Sequence, residues 1–497
     1  MSSVLSPWTE ADRERTRVRV LGVSAGVAAA GLAVALQGNV VLTLVAASAA
    51  TFFGLAFWRP LAALALLVSL VMFFEQYHIA GIESVTASSP LYLNLNNLTS
   101  VYLPANPLEI LLATITLAFG LRWMFVERTK LRWFWPQWAT LLFAASLIFT
   151  FGRGWLRGGE LKVALWEVRA FFYLILLQFL IPQLVRRRRD IWIMVAAITV
   201  PMVLKSVQGL YRYFVTIEGR IDHVPAITSH ECAFFLLCQF FLIAALWVYR
   251  TAPMLRWLLT LSLPMTLATF VLAQRRVAYG AMAIGGVLFL LLAPRAVRRR
   301  LAIAAVPVLL VLGLYTLAVW NKPYGTLSMP VRQVRSIFDP KPGSHEERSN
   351  DFRDIERFNL KTTIRAHLAL GTGFGLEFYQ TRPLPHINYP LYRFIPHNAI
   401  LWLWAKSGTL GFLIFWFFIG ANVVAALTLR ERLRDPLARA VALTAALGLM
   451  LQTIISYYDL QLTFYRNMVF HGVWLGLVAG AAKLIPTDDA SAGETLR

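Results

Sequence analysis

Apolar residues fall in long runs along this chain, separated by short stretches rich in Arg, Lys, Pro and Gly. Several runs reach about 20 residues, the length a helix needs to cross a bilayer core of about 30 Å. Runs of that length are too long for the buried strands of a soluble protein. In lipid, only helices and closed barrels satisfy their own backbone. The pattern therefore predicts an all-α polytopic membrane protein. Spans are expected at 18–37, 40–58, 61–78, 107–124, 136–152, 162–184, 190–212, 229–249, 255–273, 277–293, 300–320, 408–429, 437–457 and 465–484. The count is about 12–14 transmembrane helices, the first pair and the run that holds both cysteines being the least sharply bounded.

One polar segment, 321–396, breaks this rhythm and ends in Pro396-His397-Asn398. It divides the chain into N-terminal transmembrane helices (1–320), a long loop that is expected to carry the candidate chemistry (321–398), C-terminal transmembrane helices (399–485) and a solvated tail (486–497). Within the loop, 351–370 reads as a helix, because Phe352, Ile355, Phe358, Ile364 and Leu368 recur at three- to four-residue spacing. Asn350 or Asp351 can cap its start. It stops at Gly371-Thr-Gly-Phe-Gly375, a turn whose backbone can approach a ligand closely or simply end the helix.

Composition supports the membrane reading: 58% of residues are hydrophobic, 15% are charged, and mean hydropathy is +0.60. A net charge of +21 would suggest nucleic acid in a soluble protein. Here most of the excess is arginine that sets topology, so no nucleic-acid partner is expected. One set of loops holds Arg59; Arg122, Arg128, Lys130 and Arg132; Arg186 to Arg189; Arg250 and Arg256; Arg295 and Arg298 to Arg300; and Arg430, Arg432, Arg434 and Arg439. The loop at 79–106 has no Lys or Arg at all. Positive-inside bias places the cationic set in the cytoplasm, both termini with it, and the long loop outside. Cys232 and Cys238 lie six apart in one apolar run and point to different helix faces, which suits neither a disulfide nor a metal site.

Candidate chemistry gathers on the outer side. His397 stands where the long loop meets the apolar run Ala-Ile-Leu-Trp-Leu-Trp, and a neutral imidazole there can take a proton from a hydroxyl. An interfacial histidine that only packs is the plain alternative. Arg275 and Arg276 interrupt the apolar stretch 260–292, where an arginine is costly unless it is paired or near water. Snorkelling to head groups is the alternative there. Arg353 and Arg357, one turn apart, lie on one side of the loop helix. Guanidinium is always charged and matches phosphate bidentately, which suits an anion clamp. Glu109, Glu167, Arg169 and Lys205 lie within spans; pairing with another helix or lining a path are the two readings. His230 and Glu231 resemble half of a metal pair but lack a second histidine four residues on. The loop acids Asp339, Glu346, Glu347, Asp351, Asp354, Glu356 and Glu377 show no metal-loop spacing, so no metal or cofactor is expected.

This arrangement resembles the O-antigen ligase and polymerase-like family of bacterial membrane glycosyltransferases. The resemblance rests on the late outer loop and on Gln274-Arg275-Arg276-Val-Ala-Tyr-Gly280. It rests further on the Arg353-led helix running into Gly371-x-Gly-x-Gly375, and on His397 followed eleven positions later by Gly408. It is densest over 270–430. The family implies transfer of a glycan from undecaprenyl pyrophosphate to an acceptor hydroxyl, of lipid A core or another glycan, at the outer face of the bacterial inner membrane, without metal and with inversion. By resemblance His397 is the base, and Arg276 and Arg353 hold the pyrophosphate, with Arg275 competing with Arg276 for that place. Joining of lipid-linked repeats by an exopolysaccharide polymerase is the near alternative. A lipid-linked glycan flippase and a non-catalytic assembly subunit are more distant ones.

Overall fold

The fold is taken from a computed structural model, which describes residues 31, 40–77, 86–87, 89–95, 104–128, 130–221, 226–322, 325–340, 342–387 and 389–482. The described residues form helices and no strand: α1 (Val40–Trp58), α2 (Pro60–Phe73), α3 (Pro107–Arg122), α4 (Pro136–Leu156), α5 (Leu161–Leu184), α6 (Arg188–Tyr211), α7 (His230–Val248), α8 (Pro253–Leu261), α9 (Leu263–Leu272), α10 (Arg276–Leu292), α11 (Arg295–Val319), α12 (Met329–Phe338), α13 (His345–Ala366), α14 (Ala399–Arg432), α15 (Pro436–Ser456) and α16 (Tyr465–Ala481). The protein is an all-α polytopic membrane protein. Every span expected from residue 40 onward falls on one of these helices, except 255–273, which is divided between α8 and α9. The span expected at 18–37 and the tail from 486 lie outside the described residues.

Among the described residues, 8 helices are long and apolar enough to cross a membrane unaided, or 9 if α8 and α9, bent by 49°, form one broken span. The region 46–58 of α1, together with α2 and α10, is shorter, which is why a strict count by length falls below a count of apolar runs. The α8–α9 break has a local cause: Pro264, near the start of α9, has no N–H to continue the ladder.

Packing divides the chain into two units, 1–64 with 109–129, and 65–108 with 130–497. In the first, Arg122 at the end of α3 donates from Nη1 to the carbonyls of Phe57 and Trp58 at 3.2 and 2.8 Å, capping α1. The second is built around α16, which is buried along its whole length. Gly472, Gly476 and Gly480 form a strip on α16. A Cβ at Gly472 would lie 2.9 Å from the Leu174 Cα, and one at Gly476 would lie 2.7 Å from the Ile181 Cβ of α5. Helices in lipid gain little from hydrophobic burial against one another, so this close approach supplies the association. Phe143 of α4 adds a stacked contact to Phe418 of α14 at 5.0 Å and an edge contact to Phe171 of α5 at 5.5 Å.

Several charges inside the spans are paired between elements. Lys205 of α6 meets Glu75 at 3.0 Å, Arg466 of α16 meets Glu231 of α7 at 2.9 Å, and Lys406 of α14 meets Glu167 of α5 at 2.7 Å. Arg169 donates to the Asn94 side chain and the Pro104 carbonyl, each at 3.0 Å.

Candidate functional site

A cavity of about 970 Å³ opens in the larger unit. Four arginines line it: Arg275, Arg276, Arg348 and Arg353. His230 and His397 share the wall, as do Asp351 and Asp459. With the imidazoles neutral, guanidiniums outnumber carboxylates by two. Phe234, Phe352, Ile355 and Ile455 supply the apolar remainder.

Three local devices bring these groups together. The first lies between α9 and α10, where Gln274 takes a left-handed φ of 53°, and the sharp turn sets Arg275 and Arg276 at the N-terminus of α10. Two cations at the positive end of a helix oppose the dipole, an unfavourable choice unless an anion sits there. The second is α13. It starts at His345, six residues before the expected 351, because Ser344 rather than Asn350 or Asp351 caps it: the Ser344 hydroxyl accepts from the Glu347 N–H at 3.2 Å. Ser-x-x-Glu is a helix-start signature. The earlier start lets Arg348, Ser349, Phe352 and Arg353 line one face. The third is the turn after α15, which places Tyr458, Asp459 and Gln461 on the wall.

His397 is held by a carboxylate. Its Nδ1 lies 3.1 and 3.0 Å from the two oxygens of Glu356, and its backbone N–H donates to the same carboxylate at 3.2 Å. Glu356 is buried, and the Phe352 ring meets the imidazole edge-on at 5.8 Å. An Nδ1–H donated to a carboxylate leaves the lone pair on Nε2, the nitrogen a base uses. No described group hydrogen-bonds Nε2.

The arginines differ in how well they are satisfied. Among its contacts, Arg276 reaches the Ser336 and Asn350 side chains at 3.5 and 3.4 Å. Arg275 and Arg353 each bury an Nε–H with no hydrogen-bond partner. A buried unsatisfied donor costs about 1–3 kcal/mol, so such groups call for an explanation. Arg357 stands apart: it pairs with Asp354 at 2.9 Å and does not line the cavity.

The glycine turn makes its close approaches to the protein's own backbone. Gly371 (φ 69°) and Gly408 (φ 66°) face each other, and a Cβ on either would collide with the other segment, at the Lys406 carbonyl or the Ala369 carbonyl. Thr372 and Gly373 donate to the carbonyls of Ala405 and Lys406, each at 2.9 Å. This is why glycine stands eleven positions after His397: α14 is interrupted there to seat the turn.

Glu356 and Asp459 were not singled out as site residues from the sequence. Glu356 carried a signal, since it lies three residues from Arg353 and so shares its face. Asp459, the one acid between the last two apolar runs, carried a weaker one.

The site is a cavity lined by four arginines at the ends of membrane helices, with one carboxylate-held imidazole, a set of groups able to hold an anion. Residues 261–416 match the family model described as O-Antigen ligase, a stretch that holds Arg275, Arg276, Arg353 and His397. Over that stretch the chain is similar to the O-antigen ligase family. No curated protein matches it.

Proposed function

We propose that the protein transfers a glycan from undecaprenyl pyrophosphate to an acceptor hydroxyl at the periplasmic face of the bacterial inner membrane, with both termini in the cytoplasm. The observation that carries this reading is the convergence of Arg275, Arg276, Arg353 and His397 on one cavity, although 122 positions separate Arg275 from His397. The surplus of two cations matches the charge of a pyrophosphate diester. His397 Nε2 takes the proton as the acceptor oxygen bonds to the anomeric carbon. The bond from that carbon to the phosphate oxygen breaks, and its electron pair leaves with the pyrophosphate. Fixed guanidiniums meet the charge as it develops. The cavity lies at the start of α7 and α10 and the end of α15. The opposite ends of these helices adjoin Arg250, Arg295 and Arg434, which supports an outer location.

The test is reconstitution in vesicles with undecaprenyl-pyrophosphate-linked glycan and acceptor extracted from cells that express the protein natively. His397→Ala should lower transfer by about 10²–10⁴-fold while thermal unfolding is unchanged. A fully active His397→Ala protein ends the base assignment.

A further inference from the structure

One stretch of the cavity wall does not suit a phosphate. Asp459 presents a carboxylate there, beside His230 and Tyr458. Its Oδ1 accepts from the Leu460 N–H at 2.8 Å and its Oδ2 from the Gln461 side chain at 3.0 Å. The His230 Nδ1 lies 3.9 Å from Oδ2. Among the described residues no cavity arginine lies within ion-pair distance of it, and the ion pair it does make is the long one to His230. A carboxylate has about four lone-pair sites, and two are taken within its own turn. The remaining lone pairs face a ligand that must donate hydrogen bonds and must not be an anion. Tyr458, 44% exposed, adds an aromatic surface of the kind that lies against the apolar face of a sugar ring.

The charge state fits that role. Burial pushes the Asp459 carboxyl up, but His230 and His397 when protonated, together with Arg275, outweigh burial and hold it below the usual carboxylate range. It is therefore an anion at neutral pH, a strong hydrogen-bond acceptor and a poor competitor for the proton that His397 takes.

We propose that Asp459, with His230 and Tyr458, forms the subsite for the acceptor sugar. The carboxylate accepts hydrogen bonds from hydroxyls that flank the attacking one, and so presents that hydroxyl to His397. Donor and acceptor are then told apart by charge within one cavity: the arginine wall takes the pyrophosphate, and the Asp459 wall takes a neutral polyhydroxyl group. This inference rests on the glycosyl-transfer reading above.

The experiment compares wild type with Asp459→Asn, Asp459→Glu and Tyr458→Ala in the same vesicles, varying donor and acceptor separately, and measures binding of inorganic pyrophosphate to the purified protein. Asp459→Asn should raise the acceptor KM by about 10- to 100-fold, the scale of a lost hydrogen bond to a charged group. Asp459→Glu should recover part of that loss, and Tyr458→Ala should raise the same KM by less. Pyrophosphate binding should hold or tighten in Asp459→Asn, because a repelling carboxylate has gone. A merely structural Asp459 would weaken both ligands together. An unchanged acceptor KM, or weakened pyrophosphate binding in Asp459→Asn, overturns the subsite and leaves the parent reading standing. A wild type that transfers nothing to any acceptor fraction overturns the parent reading, and the subsite with it.

Discussion

Two parts of the long loop lie against buried charge beside a recognisable motif, and they behave oppositely. At the glycine turn every charged group is satisfied. Glu167 accepts from the Gly375 N–H at 2.5 Å and the Trp402 indole at 3.3 Å, and pairs with Lys406 at 2.7 Å; Lys406 also donates to the Leu376 carbonyl. Both side chains of the pair are fully buried. At the cavity, Arg275 and Arg353 keep buried Nε–H donors without hydrogen-bond partners. Buried charge alone therefore does not mark a site. Charge left unsatisfied beside open space does, because the missing partner has somewhere to bind.

The contrast is broken most sharply at Lys406. Lys406→Met leaves Glu167 buried without its cation, which costs about 3–5 kcal/mol when one partner of such a pair is removed. Thermal unfolding in detergent should show this as a large loss. The double variant Glu167→Gln/Lys406→Met should recover much of it. A Lys406→Met protein as stable as wild type would mean that the clasp holds nothing together.

At the cavity the same kind of truncation should act on ligand rather than on fold. Arg353→Ala or Arg276→Ala should weaken inorganic pyrophosphate binding by about 10- to 100-fold, the range of charge-assisted hydrogen bonds. Stability should stay level, since Arg353→Ala also removes an unsatisfied buried donor. Unchanged affinity in both variants removes the clamp from the mechanism.

These two behaviours could not be separated in the sequence. Run length placed the helices from residue 40 onward, because a membrane span is a local property of about 20 residues. The break at Arg275-Arg276 was visible for the same reason: two cations in an apolar stretch stand out against their immediate neighbours. Satisfaction is not local. Glu356 meets His397 across 41 positions, and Glu167 meets the Gly375 N–H across 208. No periodicity announces either contact. Gly371 looked equally suited to a ligand or to a helix stop until its close approach to Gly408 showed that it serves the protein's own backbone. The start of α13 was legible in Ser344 and Glu347 but was outranked by the apolar spacing that begins at Phe352.

Glu356 offers a smaller and more specific probe of the cavity side. Glu356→Gln keeps a hydrogen-bond acceptor for the Nδ1–H but removes the charge that steadies an imidazolium as the proton arrives. The kcat for transfer should fall by about tenfold, equivalent to about 1.4 kcal/mol, with pyrophosphate binding unchanged. A parallel loss of pyrophosphate binding would show that Glu356 organises the arginines instead.

The smallest effect is expected at Arg357, one turn from Arg353 and equally plausible as a clamp residue when only helical spacing is considered. Its guanidinium pairs with Asp354 at 2.9 Å, and the Asp354 side chain is 68% exposed, so solvent screens the pair. Exposed ion pairs contribute about 0–1 kcal/mol. Arg357→Ala should therefore leave unfolding, pyrophosphate binding and transfer close to wild type, beside an Arg353→Ala protein that has lost the ligand. That difference, across a single helical turn, isolates orientation from charge. If Arg357→Ala instead weakens pyrophosphate binding as much as Arg353→Ala does, the whole helix contributes a diffuse positive field, and the unsatisfied Nε–H of Arg353 is no longer the feature that distinguishes the site.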